Sequence, residues 1–216
     1  MDISIIEKID CNVLEDGSTT INSQIIYDIV RKIDDSSEIE IISNNGKIMT
    51  LRADGSRFSL ACLPKEDFPI SDPENSGNTI KINSKIIFKL IDKTKFAISN
   101  EETRYFLNGL YFNITKDKSN SILTLVGTDG HRLAKFSHNI EGNIDQVSGV
   151  IIPKKTIYEL CKLLSEIDRD IYISISSNKI IFKIDDIIFI SKLIDGSFPD
   201  YKRVIPNDNS NILKIN

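Results

Sequence analysis

The chain has 216 residues, a net charge of −4, and 40% hydrophobic and 27% charged residues, which is ordinary for a globular protein. Its apolar runs, such as 187–190, are far shorter than the ~20 residues that a membrane helix needs, and we expect no signal peptide. Cys11, Cys62 and Cys161 are too widely spaced for a disulfide framework or a zinc site, so we expect buried thiols in a reducing cytoplasm.

Three segments along the chain share one short pattern, at residues 21–27, 82–88 and 152–158. Each continues with apolar residues spaced three and four apart, which predicts a helix with one apolar stripe. Residue types that favour helix N-caps stand at the start of the first two segments: Asn22, Ser23 and Ser84.

The first copy of the pattern is followed by three predicted strands. Residues 38–43 and 47–52 flank the Asn-Asn-Gly sequence at 44–46, and Asn-Gly is a strong signal for a tight hairpin. A further strand is predicted at 57–60, before an Asp-Phe-Pro sequence at 67–69. The stretch 71–78, rich in Asp, Pro, Asn, Ser and Gly, is then a predicted linker.

The second predicted helix carries a row of lysines. Lys85, Lys89 and Lys93 are four residues apart and therefore lie on one side, opposite the apolar stripe. Such a row is most often an ordinary solvated helix face. The alternative is that basic helix faces converge on a phosphate backbone, which would give binding without sequence preference.

Between the second and third copies, the pattern changes to alternation. Residues 104–114 form an alternating segment, and 115–121 is predicted to be a polar loop. Two strands are predicted next, around 122–126 and 132–136.

The third copy repeats the plan of the first. Strands are predicted at 171–175, 180–184 and 187–193, separated by polar turns. Tyr27 and Tyr158 stand at equivalent places and are 131 residues apart (158 − 27). A helix-plus-three-strand unit therefore recurs, which indicates a duplicated domain of the α+β class.

The sequence offers little support for an enzyme. Asp129 and His131 could pair a carboxylate with an imidazole, but a general base also needs a nucleophile or a metal beside it. Neither a glycine-rich phosphate loop nor a cluster of metal ligands is present in the sequence. We therefore predict a non-catalytic protein without a cofactor or a metal.

Several motifs resemble those of bacterial DNA sliding clamps, the β subunit of DNA polymerase III holoenzyme. The most specific is Thr-Asp-Gly-His-Arg-Leu-Ala at 128–134. Matching stretches stand in the family's order before and after it, at 56–60, 63–64, 67–69, 104–109, 150–155, 191–196 and 198–201. The resemblance covers essentially the whole chain.

The resemblance implies the DNA clamp fold, with βαβββ-type repeats whose helices line a hole and whose sheets face outward. It assigns residues 1–75 to the C-terminal part of clamp domain one and 79–205 to clamp domain two. Residues 206–216 would begin a linker to a third domain that this chain lacks. Lys85, Lys89 and Lys93 would then face the hole.

The resemblance also implies a pocket that binds peptides of polymerases and repair factors. Carried over by motif, its residues are Arg104, Phe106, Leu107, Thr128, Gly130, His131, Arg132, Leu133, Pro199, Arg203 and Val204. Leu107, Leu133, Pro199 and Val204 would form an apolar floor. Arg104 and Arg203 would hydrogen-bond the backbone or the terminal carboxylate of the peptide.

Two further surfaces follow from the resemblance. DNA contacts map to Lys85, Lys89, Lys93, Asn100, Tyr105, Phe106, Lys154 and Lys155, although Glu101 and Gln24 weaken the electrostatic case. Tyr105 and Phe106 could equally pack within the domain. The subunit interface maps to Arg57, Phe58, Ser59, Leu60 and Ala61.

The implied function is a processivity factor that encircles double-stranded DNA without sequence preference, as a homodimeric ring in the full-length family. Its implied partners are the catalytic subunit of DNA polymerase III, the clamp loader and other proteins with clamp-binding peptides, in the cytoplasm and away from membranes. The alternative is a truncated clamp remnant that folds in part but cannot close a ring or load on DNA.

Overall fold

The computed structural model describes residues 2–44, 46–69, 79–117, 120–140 and 147–206. These residues form two compact units, a larger one of residues 2–8 and 79–206 and a smaller one of residues 9–69. The predicted linker at 71–78 lies outside the described residues, so the domain limits 1–75 and 79–205 stay a prediction.

The described residues contain three α-helices and twelve strands. The helices are α1 (Ser23–Val30), α2 (Ser84–Asp92) and α3 (Lys154–Leu164). The strands are β1 (Ile3–Glu7), β2 (Glu40–Asn44), β3 (Ile48–Ala53), β4 (Ser56–Ala61), β5 (Thr79–Asn83), β6 (Gly109–Asp117), β7 (Asn120–Thr128), β8 (Leu133–Ile140), β9 (Val147–Pro153), β10 (Asp170–Ile175), β11 (Lys179–Ile184) and β12 (Ile187–Lys192). Short 3-10 helices lie at Lys65–Asp67, Lys95–Ala97, Glu102–Leu107 and Tyr201–Val204.

The smaller unit is one helix with one antiparallel sheet of order β2–β3–β4. Asn22 is the N-cap of α1, because its side-chain oxygen accepts hydrogen bonds from the backbone N–H groups of Gln24 and Ile25, at 3.0 and 3.1 Å. The predicted hairpin between β2 and β3 is confirmed, and Gly46 takes the positive φ of 67° that the turn needs. The central strand β3 buries Met49 and Leu51.

The larger unit holds two antiparallel sheets, of order β1–β12–β11–β10–β5 and β8–β7–β6–β9. Strands β5 and β9 each precede a helix, yet each pairs outside the group of three strands that follows that helix. β5 pairs with β10, and β9 pairs with β6. The sheets are thus built by exchange. The helix-plus-three-strand plan predicted for the first and third copies is confirmed, as α1 with β2–β4 and α3 with β10–β12, and α2 with β6–β8 follows the same order.

The core of the larger unit lies between these sheets and the two helices. α2 buries Ile87, Leu90 and Ile91, so the predicted apolar stripe is confirmed. α3 does the same with residues such as Ile157 and Leu160, and the two helices contact each other. Phe182 and Phe189 meet edge to face across neighbouring strands, with ring centroids 6.2 Å apart.

Strands β1, β5 and β9 were not predicted from periodicity. β5 and β9 are short and their apolar residues run directly into helices, so the helical pattern concealed them. β1 alternates weakly and pairs with β12 over Ile3–Glu7. A five-residue segment so far from its partner in sequence carries no local signal of that pairing.

Four local predictions were wrong. Ser84 is the first residue of α2, whose N-cap is Asn83, and the Ser84 hydroxyl donates to the carbonyl of Ile167 at 2.8 Å. Residues 104–107 form 3-10 turns, because Arg104 departs from strand geometry with φ −112° and ψ 54°. The predicted loop at 115–121 belongs largely to β6 and β7. Among the thiols, Cys161 is buried, Cys62 is half-buried and Cys11 is exposed.

Removing the Leu90 side chain tests the core of the larger unit. Leu90 is 0% exposed, so Leu90→Ala should lower the free energy of unfolding by about 2–5 kcal/mol, through reduced burial and the cavity left behind. Urea denaturation followed by circular dichroism measures the change. Leu14→Ala is the matched control: Leu14 is 89% exposed, so its truncation should change the free energy by less than about 0.5 kcal/mol. Equal losses of stability in the two variants would contradict this assignment of the core.

Candidate functional site

The segment Thr128–Leu133 is a tight turn that closes the β7–β8 hairpin and is held by its own side chains. The Thr128 hydroxyl donates to the carbonyl of Arg132 at 2.8 Å and accepts from the N–H of Gly130 at 3.1 Å. One carboxylate oxygen of Asp129 accepts from the N–H groups of His131 and Arg132, at 3.0 and 2.9 Å. The residue types of the motif are therefore those that lock this turn, with Gly130 at a φ of 87°.

The pKa of Asp129 is lowered from 3.8 to about 2. The largest cause is the hydrogen bond from the backbone N–H of Arg132, followed by that from the N–H of His131, and the Arg132 side chain adds less. The Arg132 guanidinium donates through Nε to the second carboxylate oxygen at 2.9 Å. The Asp129 carboxylate thus accepts from the backbone N–H of His131, which assigns it a structural role in the turn.

Arg104 lies directly against the turn. A Cβ atom at Gly130 would stand 2.7 Å from the Arg104 guanidinium, so this position accepts only glycine while the arginine stays in place. Glu101 binds Arg104 through both oxygens, at 2.8 and 2.7 Å. The segments 104–109 and 128–134, which both carry motifs of the family that the sequence resembles, are therefore in contact.

The residues after β12 provide another part of the site. A Cβ at Gly196 would lie 3.3 Å from the Phe106 side chain, which brings this loop beside the 3-10 helix Glu102–Leu107. Further on, the Phe198 ring stacks on Tyr111 with centroids 4.9 Å apart, and Tyr201 packs against the same ring at 6.0 Å. These aromatic contacts hold in place the exposed residues that lie between Phe198 and Tyr201 and directly after Tyr201.

The predicted pocket residues differ widely in exposure. Leu107 is buried, and Phe106, Thr128 and Leu133 are half-buried. The exposed members are Gly130, His131, Arg132, Pro199, Arg203 and Val204, while Arg104 is half-buried. Val204 is 68% exposed, a large value for an apolar side chain at a fixed position. The structure brings Arg104 to the turn, and Phe106 to the loop that leads to Pro199.

Each of the three predicted pocket arginines is held by an acidic residue three positions before it. The pairs are Glu101–Arg104 at 2.7 Å, Asp129–Arg132 at 2.9 Å and Asp200–Arg203 at 3.0 Å. Sequence reasoning did not single out Asp200, and it treated Glu101 as unfavourable. An acidic residue three positions before an arginine recurs at all three places, and this spacing in the sequence could have pointed to both residues. Such exposed pairs add little stability, but they orient the guanidinium groups.

A groove of about 510 Å³ lies along the sheet next to this site and was not predicted. It is lined by Thr115, Ile122, Thr124, Lys135, Ser137, His138, Asn139, Tyr201 and Lys202. The Lys135 ammonium lies 5.9 Å from the centre of the Tyr201 ring. The Tyr201 ring thus lies close both to Lys135 at this groove and to the ring of Tyr111.

The lysine row of α2 is exposed, as its spacing predicts. Lys85 forms an ion pair with Asp168 at 2.5 Å, which lowers the pKa of that carboxyl. The Lys89 ammonium lies 5.8 Å from the centre of the Phe136 ring, and Lys93 is the C-cap of the helix. The positive charge of Lys85, one of the three in the row, is therefore paired with a carboxylate.

A second group of predicted DNA-binding residues meets at the start of α3. The Lys154 ammonium donates a hydrogen bond to the side-chain oxygen of Asn100 and lies 5.7 Å from the centre of the Tyr158 ring. Lys155 is exposed. Tyr105 is 53% exposed and packs edge to face on Phe106, with ring centroids 5.8 Å apart. Both predicted roles of these two rings, packing and contact with DNA, are compatible with this arrangement.

The predicted subunit interface lies on β4, at one edge of the smaller unit's sheet. β4 pairs with β3 along Ser56–Ala61, and its other edge has no strand partner within the described residues. Arg57, Ser59 and Ala61 are exposed, whereas Phe58 and Leu60 are half-buried. An edge strand of this kind can accept another strand.

In the part of the chain that the structure describes, no three His, Cys, Asp or Glu residues are grouped so that they could hold a metal ion. Within the same residues, none of the helices is both long and apolar enough to span a membrane.

Comparison with known proteins agrees with this architecture. Residues 1–72 match the family described as DNA polymerase III beta subunit, N-terminal domain, and residues 81–200 match its central domain. The beta sliding clamp of Caulobacter vibrioides is 37% identical over 216 residues, which cover the whole chain and 58% of that protein. The Escherichia coli K12 beta sliding clamp is 38% identical over 194 residues, 90% of this chain and 51% of that protein. The chain therefore spans about half the length of the curated relatives it matches.

Solved structures give the same result. A sliding clamp from Bartonella birtlesii, bound to griselimycin, superposes with a TM-score of 0.91 at 45% identity, over 97% of this chain and 56% of that one. The Caulobacter crescentus beta sliding clamp also gives 0.91, at 37% identity, over 97% and 56%. The fold is thus that of the replicative DNA clamps. The chain belongs to the bacterial DNA polymerase III beta subunit family of sliding clamps.

The pH behaviour of Asp129 tests the geometry of the turn. Its folded-state pKa is lowered, so its contribution to stability is complete above about 3.8 and disappears as the pH falls through about 2. A carbon-detected NMR titration of the carboxyl should therefore show a midpoint near 2. Arg132→Gln should leave the midpoint low, because the main donors are backbone N–H groups. A return to about 3.8 in that variant would show that the guanidinium is the main cause.

Proposed function

We propose that this chain acts in DNA replication as part of a non-catalytic sliding clamp in the cytoplasm. It would hold double-stranded DNA without sequence preference and tether proteins that carry clamp-binding peptides. These partners would be the catalytic subunit of DNA polymerase III, the clamp loader and repair factors. In the full-length family, such subunits would assemble as a homodimeric ring.

The observation that carries the docking proposal is the locked Thr128–Leu133 turn in contact with Arg104. The turn is held by hydrogen bonds within itself, so it is formed before any partner arrives, and a rigid surface loses little entropy on binding. Leu133 and Val204 would accept the leucine and phenylalanine side chains of a peptide. Arg104, Arg132 and Arg203 would surround this apolar floor with oriented donors.

The related Bartonella clamp was solved with griselimycin bound, so a member of this family has a surface that binds an added molecule. In this chain the exposed Val204 and the half-buried Leu133 give such a surface its apolar component. Exposed apolar side chains at fixed positions, with charged groups around them, are typical of recognition sites.

The proposed DNA contact rests on the exposed lysine row of α2 and on Lys154 and Lys155 at the start of α3. The two helices contact each other, so their basic residues belong to one helical layer. Lysine ammonium groups bind phosphates as point charges and do not read bases. A sliding protein needs contacts of this weak and sequence-independent kind.

The alternative is a clamp remnant that no longer loads on DNA. The smaller unit favours this candidate, because α1 has no fully buried residue. A remnant would show no peptide binding and a weak, salt-insensitive association with DNA.

Binding of a clamp-binding peptide of the Gln-Leu-X-Leu-Phe kind tests the docking site. The anisotropy of the labelled peptide should rise to saturation with the wild-type chain. Leu133→Asp should abolish that binding, because it places an unpaired charge on the apolar floor. Ile5→Asp is the matched control: it introduces the same charge at a 59% exposed isoleucine of β1 and should bind normally. Unchanged binding by Leu133→Asp would refute the pocket assignment, and no binding by folded wild type would favour the remnant.

Reversal of the lysine row tests the DNA contact. Changing Lys85, Lys89 and Lys93 together to Glu should weaken binding to short duplexes. It should also reduce the slope of log affinity against log salt by about 0.9 for each phosphate that the variant no longer neutralises. Peptide binding should be unaffected.

Lys47, Lys65 and Lys192, all exposed, give a control with the same total charge when changed to Glu. Each substitution changes the charge by −2, so both variants go from −4 to −10 (−4 − 6). If the affinity for DNA falls equally in the two variants, net charge explains the effect, and the proposed role of α2 is wrong. Duplexes of different sequence should bind alike.

A further inference from the structure

The groove of about 510 Å³ beside the docking site is built on one face of the sheet β8–β7–β6–β9. Side chains two residues apart in a strand lie on the same face of the sheet. On this face, β7 contributes Ile122 and Thr124, and β8 contributes Lys135, Ser137 and Asn139. Ile122 pairs with Asn139, and Thr124 with Ser137, so these side chains form rows across the two strands. The β7 and β8 part of the groove is therefore polar except at Ile122.

The same face of the sheet begins at the docking site. Leu133 and Lys135 are two residues apart in β8 and therefore lie on one face. The groove is also lined by Tyr201 and Lys202, which belong to the 3-10 helix that carries Val204 of the proposed pocket. An extended segment of about six residues that leaves the pocket along β8 would cover the groove.

Two lysines give the groove its charge. Lys135 and Lys202 are exposed, and neither takes part in an ion pair within the residues that the structure describes. The Lys135 ammonium lies 5.9 Å from the centre of the buried Tyr201 ring, which favours its position at the groove. Asp200, the acidic residue nearest in sequence to Lys202, is paired with Arg203 at 3.0 Å. Two ammonium groups at the end of the groove nearest the pocket thus lack acidic partners.

Hydroxyl groups lie beside these charges. The Thr124 and Ser137 hydroxyls form a hydrogen bond with each other at 2.9 Å, and either can be the donor. Each hydroxyl has one proton, so this bond uses one proton of the pair and leaves the other for an acceptor. A carboxylate accepts several hydrogen bonds and prefers charged donors. The combination of ammonium groups and hydroxyls therefore suits the side chain of a glutamate or an aspartate.

We propose that this groove binds an acidic segment that flanks the clamp-binding motif of a docked partner. The inference rests on the proposed docking function and adds charge specificity to it. The partner chain leaves the pocket along β8, and its acidic side chains pair with Lys135 and Lys202. A nucleic acid carries a phosphate at every nucleotide and needs basic residues along its whole path. Both lysines lie at the end nearest Leu133, so a peptide with a few acidic residues next to the motif fits better.

Peptides with matched extensions test the proposal. The Gln-Leu-X-Leu-Phe peptide is extended by three glutamates on either side of the motif, and each version has a counterpart with three glutamines. On the side that reaches the groove, glutamates should tighten binding about threefold or more relative to glutamines, the effect of two exposed ion pairs. Added salt should reduce this gain, because it screens exposed charges. Competition measured by anisotropy gives the affinities.

Removal of the lysine charges locates the gain. Lys135→Gln combined with Lys202→Gln should abolish the gain and leave the affinity for the glutamine peptides unchanged. Lys47→Gln combined with Lys65→Gln is the matched control, because both residues are exposed in the smaller unit and the same charge is removed. No gain from glutamates on either side, or an equal gain in both double variants, would overturn the proposal while the docking function stands. Failure of the glutamine peptides to bind the folded wild-type chain would refute the docking function and this inference with it.

Amide chemical shifts give a measurement without substitution. The NMR signals of Ser137 and Lys202 should move further with the glutamate peptide than with its glutamine counterpart. If a short single-stranded oligonucleotide moves these signals and the glutamate peptide does not, the groove binds phosphates and the proposal is wrong.

Discussion

The structure depends on one constraint: a single helix-plus-three-strand repeat cannot bury its own apolar helix face or close its own sheet edge. In the larger unit, two repeats solve this by exchanging β5 and β9, so each sheet includes a strand from the other repeat. The helices then lie side by side with their aliphatic residues inward. Phe112 and Leu90 of one repeat and Phe182 of the other belong to one common core.

The exchange also positions the candidate site. The Thr128–Leu133 turn closes the β7–β8 hairpin, in the sheet that β9 completes on the side of β6. A contact between Ile151 of β9 and Ile194 then places the segment after β12 near the 3-10 helix of Phe106. Residues that are about 90 positions apart in the sequence therefore reach one surface because the sheets are shared.

The chemistry of that surface is suited to recognition. Its arginines are held by carboxylates three positions earlier, its turn is locked by backbone hydrogen bonds, and the Asp129 carboxylate is occupied by N–H groups of its own turn. These features fix the orientation of the guanidinium donors. The lysines of α2 lie on a different element from the Thr128–Leu133 turn.

The sequence alone determined the helices, most strands of the β2–β4 and β10–β12 groups, the exposed lysine row and the family, because these depend on periodicity and on local motifs. It did not reveal β1, β5 or β9, since the pairing of a short strand with a distant partner leaves no local pattern. It also misplaced the 104–107 segment, where a kink at Arg104 replaces a strand. In the sequence, the ion pairs of the three arginines were visible only as a spacing of three residues between an acidic residue and the arginine. The contacts of this surface were decided by the tertiary structure, because the antiparallel pairing of β6 and β7 brings Arg104 to Gly130, and the contact of β9 with the segment after β12 brings Gly196 to Phe106.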